Sequence, residues 1–184
     1  MREPTPGCLL VANPLLPDGN FDRTVVLVLA RNEDGALGVV LNRDGPTRLG
    51  SALPGWAPLA SDPPVIFAGG PVNTDAVICL ARTLEPADRP GWSQVTRDLA
   101  TVDLDLDPAA VADQVSGLRV FAGYAGWGPG QLESEIEAEA WWVLDGKPAD
   151  AFTSDPAQLW ASVLRRQGGS LQLVASYPDD PSAN

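Results

Sequence analysis

The segment Phe121-Ala-Gly-Tyr-Ala-Gly-Trp-Gly-Pro-Gly-Gln-Leu-Glu133 carries four glycines and a proline between a strand-like run and a helix-like run. Glycine concentrates where the backbone adopts positive φ, or where a neighbouring group comes too close for a Cβ. A Gly-rich turn that opens a helix also presents free backbone N–H groups, which can bind an anion. The segment therefore predicts a strand-to-helix turn and provides the first candidate site of the chain.

Length and composition indicate one globular domain. The chain has 184 residues, of which 45% are hydrophobic, so a core can form without disulfides or metals. We predict a loose N-terminal lead over residues 1–7 and a single domain over residues 8–184. The first apolar run, residues 8–12, is too short for a secretory signal core, and no run approaches the ~18 apolar residues of a membrane span. The expected location is the cytoplasm, with no membrane contact.

The net charge disfavours nucleic acid as a partner. Twelve basic and 24 acidic residues give a formal net charge of −12. Such a charge repels phosphate backbones, and non-specific affinity for nucleic acid is largely electrostatic.

The pattern of apolar residues predicts an α+β fold with a mixed, mainly antiparallel sheet and a few flanking helices. Residues 24–30 are apolar on both faces, as in a central buried strand, and a polar turn at 31–35 joins them to 36–41 in an antiparallel hairpin. The other predicted strands are 8–12, 65–67, 75–82, 99–106, 118–122, 141–144 and 171–175. The predicted helices lie around 47–53, from Pro108 through Val115 and Leu118, over 131–138, and along the apolar stripe 159–164 that ends at Gly168.

Several kinds of catalysis are excluded or disfavoured by composition. The chain has no histidine, which removes the commonest general base and the usual zinc ligand. Its only lysine, Lys147, lies in a polar turn, and its two cysteines, Cys8 and Cys79, lie in apolar runs typical of buried, reduced thiols. We predict no metal site, no cofactor and no catalytic residue, so the sequence favours a protein that is not an enzyme.

The Gly-rich segment has two interpretations. It can be an anion site, or it can be a tight corner in which glycines admit close backbone packing around Tyr124 and Trp127. Glu133 lies in the first turn of the predicted helix, where its carboxylate itself satisfies the positive helix end. Alternate acids follow along this helix, which can be a solvated face, an acidic partner surface or a weak cation site.

A second candidate site lies where the predicted hairpin ends. Antiparallel pairing brings Arg23 close to Asn42 and Arg43, and Asn20 precedes them in the same polar run. Two arginines and two asparagines at one sheet end can hold a carboxylate or phosphate. The alternative is that the asparagines cap turns while the arginines pair with local acids. Gly69 and Gly70 add a weaker turn signal.

These motifs together resemble the YqgE/AlgH family of small bacterial proteins. The resemblance is carried by 9–12, 20–26, 35–43, 69–72, 121–133 and 180–184, and it covers roughly residues 7–184. It implies a single α+β domain with coiled, branching sheets in the bacterial cytoplasm, and it brings a regulator label but no established catalytic residues. Members commonly have histidine where this chain has Arg31.

Two hypotheses of function follow. The first is a non-catalytic binding or regulatory protein that contacts an unknown protein or small molecule, with its oligomeric state open. The alternative is an enzyme with an anion-binding pocket built from Arg23, Asn42 and the Gly-rich turn at 123–130. The candidate ligand or partner cleft comprises Asn20, Arg23, Asn42, Arg43, Gly69, Gly70, Gly123, Tyr124, Gly126, Trp127, Gly128, Gly130 and Glu133.

Overall fold

The computed structural model describes residues 2–15 and 18–177, and it shows an α+β fold built on a curled, mainly antiparallel sheet. The predicted fold class is confirmed. The strands are β1 Leu9–Ala12, β2 Val25–Asn32, β3 Gly35–Val40, β4 Asp44–Arg48, β5 Val65–Ala68, β6 Val72–Thr83, β7 Trp92–Thr96, β8 Leu99–Val102, β9 Val115–Trp127 and β10 Trp141–Leu144. The helices are α1 Leu49–Ala52, α2 Pro108–Ala112, α3 Gln131–Glu137, α4 Pro148–Ala151, α5 Leu159–Gln167 and α6 Gly169–Val174, with 3-10 turns at Ala57–Leu59 and Pro156–Gln158.

The sheet runs in the order β10-β1-β2-β3-β9-β6-β8-β7, and it branches at β9. On one side β9 pairs with β6 along most of its length. On the other side it pairs first with β5, in parallel, and then with β3, antiparallel. β5 in turn pairs with β4. The single strand β9 therefore joins the parts of the sheet.

The inner strands are apolar on both faces because both faces are covered. In β2, Val25, Leu27 and Leu29 belong to the core beneath α5, whereas Val26 and Val28 belong to the core beneath α3. Successive side chains of a strand point to opposite faces, so a strand between two cores needs apolar residues throughout. A third core lies around β6, β8 and β9 under α1 and α2.

The β2–β3 hairpin is confirmed, with a shorter turn than predicted. Arg31 pairs with Ala36, and Asn32 pairs with Gly35, so the ladder extends to a two-residue loop at positions 33–34. The side chain of Asn32 accepts a hydrogen bond from the N–H of Asp34 (2.9 Å), which stabilises this tight turn.

The structure corrects the prediction for residues 115–127. Helix α2 ends at Ala112, and Val115 and Leu118 lie in β9 instead of continuing the helix. Residues 123–127 also belong to β9, so the predicted Gly-rich turn is reduced to residues 128–130. Pairing with β3, β5 and β6 in the sheet centre overrides the weak helical spacing, since strand formation depends on such neighbours.

Other predictions need correction as well. Residues 171–175 were expected as a strand but lie in and just after α6, and the strand expected at 99–106 ends at Val102. Strands β4 and β7 and helix α4 were not predicted. Proline, glycine and polar residues dominate these elements, so their sequences carry little periodic signal. The helix predicted at 159–164 is confirmed and ends before Gly168 at φ 71°.

Candidate functional site: an arginine-lined cleft

A polar cleft of about 460 Å³ opens where the β2–β3 hairpin meets the C-terminal helices. Arg23 and Arg43 line it from the two hairpin ends, and Arg165 lines it from the last turn of α5. The other lining residues are Asp22, Asn42, Ala157, Gln158, Trp160, Ala161, Ala175, Ser176 and Tyr177. The described lining residues thus include three guanidinium groups and one carboxylate, in a chain of net charge −12.

Asn42 fixes the backbone at the entry of the hairpin. Its side-chain oxygen accepts the N–H of Val25 (2.9 Å), and its amide nitrogen donates to the carbonyl of Arg23 (2.9 Å). The predicted proximity of Arg23 and Asn42 is thus present. The side-chain amide of Asn42 therefore hydrogen-bonds to the backbone through both its oxygen and its nitrogen. It positions Arg23 and has few groups left to bind a ligand.

The side chain of Arg23 is held over an aromatic ring. Its guanidinium carbon lies 5.0 Å from the ring centroid of Trp160, and its Nη1 donates to the carbonyl of Tyr177 (3.1 Å). Trp160 is itself fixed, since its Nε1 donates to the carbonyl of Ala12 (2.9 Å). Arg23 has a φ of 49°, an uncommon value for a residue other than glycine. This geometry orients the guanidinium along the wall of the cleft.

The other two arginines are less constrained. Arg43 is half-buried, and its Nη2 makes one long contact of 3.4 Å with the carbonyl of Asp22. Arg165 is exposed on α5. Both side chains therefore keep most of their N–H groups for solvent or a ligand. Asn20, by contrast, is exposed in the preceding turn and does not line the cleft.

The predicted glycines Gly69, Gly70 and Gly123 lie apart from this cleft, at a crossing of two backbones. A Cβ on Gly123 would meet the carbonyl oxygen of Gly70 at 2.4 Å, and a Cβ on Gly70 would meet Tyr124 at 2.2 Å. Gly69 makes backbone hydrogen bonds to two strands: its N–H donates to the carbonyl of Ala122 in β9, and its carbonyl accepts the N–H of Val40 in β3. These glycines let the β5–β6 loop pack directly against β9.

The remaining predicted residues lie at the opposite end of β3. Gly126 pairs with Leu37, and Trp127 pairs with Ala36. Asn42 follows Ala36 by six positions in the chain, which corresponds to about 20 Å of extended backbone. Gly128 and Gly130 form the turn into α3, where the N–H of Gly128 donates to the side chain of Gln131 (3.1 Å). The structure thus brings Arg23, Asn42 and Arg43 together and places the Gly-rich residues elsewhere.

Glu133 finds a partner that sequence spacing does not reveal. Arg31 donates to its carboxylate through Nη2 (2.7 Å) and Nε (3.2 Å), and the same guanidinium contacts Glu3 (2.7 Å). The hydrogen bond from Arg31 lowers the pKa of the Glu133 carboxyl group. The pKa of Arg31 is raised, mainly by its hydrogen bond to Glu3 and to a smaller extent by its hydrogen bond to Glu133. Arg31 thus tethers the N-terminal lead to α3.

Trp160, Arg165 and Tyr177 are among the nine described lining residues of the cleft that the sequence did not identify. Arg165-Arg166 is the only adjacent basic pair in the chain, and this pair could have indicated a local positive patch. Nothing in the sequence placed α5 beside the hairpin, however. Arg166 has a different role, since it forms a two-pronged contact with the buried carboxylate of Asp150 (2.6 and 2.7 Å).

Within 2–15 and 18–177, no group of three or more acidic, cysteine or histidine side chains is arranged to hold a metal ion. In the same part of the chain, no helix is both long enough and apolar enough to cross a bilayer.

Comparison with known proteins establishes the family. A family model described as AlgH-like matches residues 9–172. A UPF0301 protein of Streptomyces coelicolor is 50% identical over 182 residues, covering 97% of this chain and 94% of that protein. A UPF0301 protein of Mycobacterium tuberculosis is 46% identical over 181 residues, covering 97% and 90%.

Solved structures agree with this assignment. A crystal structure of a protein from Corynebacterium diphtheriae matches with a TM-score of 0.90 at 33% identity, over 96% of this chain and 94% of that one. The solution structure of the AlgH protein from Pseudomonas aeruginosa, also a UPF0301 protein, matches with a TM-score of 0.70 at 29% identity, over 97% and 98%. The resemblance inferred from the motifs is confirmed, and the chain belongs to the AlgH-like family.

Proposed function

We propose that this protein is a non-catalytic binding protein that recognises a small ligand through an anionic group, a carboxylate or a phosphate, in the arginine-lined cleft. One observation carries the proposal: Arg23, Arg43 and Arg165 converge on one cleft with a single carboxylate, Asp22, among its described lining residues. In a chain with twice as many acidic as basic residues, scattered surface charges would not favour such a cluster.

The chemistry of arginine suits this role. The guanidinium presents several N–H donors in a planar fork, which matches the two oxygens of a carboxylate or phosphate. Arg23 is already held by Trp160 and the carbonyl of Tyr177, so little side-chain freedom is lost when it binds. A volume of about 460 Å³ lies within the range of small-molecule pockets. A cleft of this size, in a chain of net charge −12, disfavours nucleic acid as the ligand.

The cleft supports binding better than catalysis. Among the described residues, its polar lining comprises arginines, amides, a hydroxyl, a phenol, an indole N–H and one carboxylate. The whole chain lacks histidine. Nucleophilic or general acid–base catalysis commonly needs a nucleophile with an adjacent base, or a positioned titratable group with a tuned pKa. The proposal places the protein in the cytoplasm, and its two free, buried thiols, Cys8 and Cys79, are consistent with a reducing compartment.

A binding screen tests the proposal. Phosphate, nucleotides and small mono- and dicarboxylates are added to the purified protein, and the melting temperature is followed at low ionic strength. At least one anion is expected to stabilise the protein, and titration calorimetry then gives its affinity. Arg43→Ala should weaken that binding about tenfold, which corresponds to about 1.4 kcal/mol.

Arg97→Ala is the matched control because it removes the same charge from an exposed position outside the cleft. It should leave the affinity unchanged. The proposal would be refuted if no anion raised the melting temperature. It would also be refuted if Arg43→Ala and Arg97→Ala lost equal amounts of anion affinity. Turnover of the bound anion by the wild-type protein, lost in Arg43→Ala, would instead establish the enzyme with an anion-binding pocket.

A further inference from the structure

A second depression, about 720 Å³ in volume, lies between the β2–β3 hairpin and the strands β6, β7 and β8. Its lining residues are Leu29, Ala30, Leu37, Val77, Ile78, Cys79, Gly91, Ser93, Gln94, Val95, Thr101, Val102, Asp103, Leu104 and Asp105. We call it the β6 groove. It shares no lining residue with the arginine-lined cleft.

The floor of the β6 groove is apolar and partly open to solvent. Leu37, Ile78 and Val95 are half-buried and pack against the main core. Val77 is 48% exposed, and it is one of the few large apolar side chains that are solvent-exposed among the described residues. A contiguous apolar depression of this kind typically marks an interaction site.

The rim of the β6 groove is acidic. Asp103 and Asp105 are exposed on the turn after β8, and the groove has no lysine or arginine among its described lining residues. Asp103 accepts the N–H of Asp105 (2.9 Å), which fixes the turn, and no ion pair of the described residues includes either carboxylate. The groove thus places two carboxylates that lack a cationic partner in the described structure beside apolar side chains.

We propose that the β6 groove binds a segment of a partner protein in which lysine or arginine residues flank a short apolar run. The apolar run would cover Val77, Leu37 and Val95, and a basic side chain would pair with Asp105. Charge complementarity of this kind gives an interface its specificity and its association rate. A second copy of this chain is disfavoured as the occupant, since it would bring the same acidic rim and a net charge of −12.

Fluorescence anisotropy with two labelled peptides tests the inference. The first is Lys-Lys-Leu-Val-Leu-Val-Lys-Lys, and the second has glutamate in place of every lysine. We expect saturable binding of the lysine peptide, weakened by added salt, and no saturable binding of the glutamate peptide. Failure of the lysine peptide to bind, or equal binding of both peptides, would overturn the inference.

Variants locate the binding. Asp105→Asn should weaken binding of the lysine peptide roughly twofold to fivefold, the range of an exposed ion pair. Val77→Thr keeps the shape of the side chain and should weaken it by a similar factor through lost apolar contact. Glu137→Gln is the control, because it removes one negative charge from an exposed site on α3, outside the groove.

Equal affinities in Asp105→Asn, Val77→Thr and Glu137→Gln would also overturn the inference. Thermal unfolding of each variant shows whether it is folded. Arg43→Ala should bind the lysine peptide like the wild type, and Asp105→Asn should respond to anions like the wild type. Failure of this proposal is therefore distinguishable from failure of the anion-binding proposal.

Discussion

At the scale of single residues, Glu135 in α3 binds two tryptophans that lie in the strands β9 and β10. Its Oε2 accepts hydrogen bonds from the indole nitrogens of Trp127 and Trp141 (both 2.8 Å), and its Oε1 accepts from the side chain of Gln131 (2.9 Å). The two indoles pack edge to face, with ring centroids 5.9 Å apart, and Phe21 completes the cluster. An acid that looked solvated in the sequence therefore joins β9, α3 and β10.

Glu135→Gln tests this junction. The neutral amide retains one oxygen acceptor but presents its NH₂ group to donors, so at least one of Trp127, Trp141 and Gln131 loses its partner. Hydrogen bonds to charged groups contribute about 1.5–3 kcal/mol. We expect a loss of that order in the free energy of unfolding, measured by urea denaturation, together with a change in tryptophan fluorescence.

Glu137→Gln is the control for this substitution, because Glu137 is exposed on the same helix. Its effect should stay within about 0.5 kcal/mol, as for most surface substitutions. Equal losses in the two variants would show that the carboxylate of Glu135 has no special role.

Cys79 gives a pH-dependent prediction at the same scale. Burial raises the pKa of its thiol from 9.0 to about 12. Below pH 9 the thiol is protonated in both the folded and the unfolded state, so its contribution to stability is fully present. As the pH rises from 9 towards 12 the unfolded state releases the proton more readily, and this contribution is lost.

The measurement compares wild-type protein with Cys79→Ala. The difference between their free energies of unfolding should be constant up to pH 9 and should shrink above it. Iodoacetamide at pH 8 should label Cys79 slowly in the folded protein and rapidly in urea. Rapid labelling of the folded protein would contradict the buried position.

At the scale of elements, β9 changes the face of the sheet to which its side chains point. Phe121 and Tyr124 both contact the core beneath α5, although three positions separate them, and Ala125 and Trp127 contact the core beneath α3. Side chains alternate along a regular strand, so this change of parity needs an irregular residue. Gly123, with a φ of 72°, provides it.

Gly123→Ala and Gly130→Ala form a matched pair that separates backbone strain from steric contact. Both glycines have a φ of 72°, but a Cβ at Gly130 meets nothing within 4 Å, whereas one at Gly123 lies 2.4 Å from a carbonyl oxygen. Gly130→Ala should cost about 1 kcal/mol of unfolding free energy. Gly123→Ala should cost roughly 2–4 kcal/mol, because the backbones must also move apart. Chemical denaturation measures both, and equal costs would contradict the close crossing of β9 and the β5–β6 loop.

At the scale of the whole molecule, Arg119 connects the sheet to two segments that are distant from it in the chain, one around residue 62 and one at residues 151–153. It is only 2% exposed in the middle of β9 and donates to the carbonyls of Asp62, Ala151 and Thr153. Its guanidinium carbon lies 4.2 Å from the ring centroid of Phe67. Burial lowers its pKa to about 10, so it stays protonated near neutral pH.

Arg119→Met tests this connection. Methionine fills much of the volume but leaves the carbonyls of Ala151 and Thr153 without a donor, and unsatisfied buried acceptors cost about 1–3 kcal/mol each. We expect a loss of about 3 kcal/mol in unfolding free energy. Arg97→Met, at an exposed site, should change it by less than about 0.5 kcal/mol. A loss as small as that of the control would mean that water replaces the guanidinium without penalty.

The amino-acid sequence by itself determined the features that depend on local pattern. The apolar residues on both faces of β2 predicted an inner strand. Pro108 predicted the start of α2, and there the side chain of Asp107 accepts the N–H of Ala109 (3.0 Å). The stripe of α5, the hairpin and the family motifs were likewise identified. These features were predictable because burial and capping impose residue types at short, regular spacings.

Only the tertiary structure decided where those elements meet. Arg31 and Glu133 pair across 102 residues, and α5 brings Arg165 and Trp160 to the ends of the hairpin. The glycines of residues 123–127 became part of a strand because another backbone crosses them. Such contacts join residues far apart in the chain, and their geometry follows from how sheets and helices pack as a whole, which no local spacing encodes.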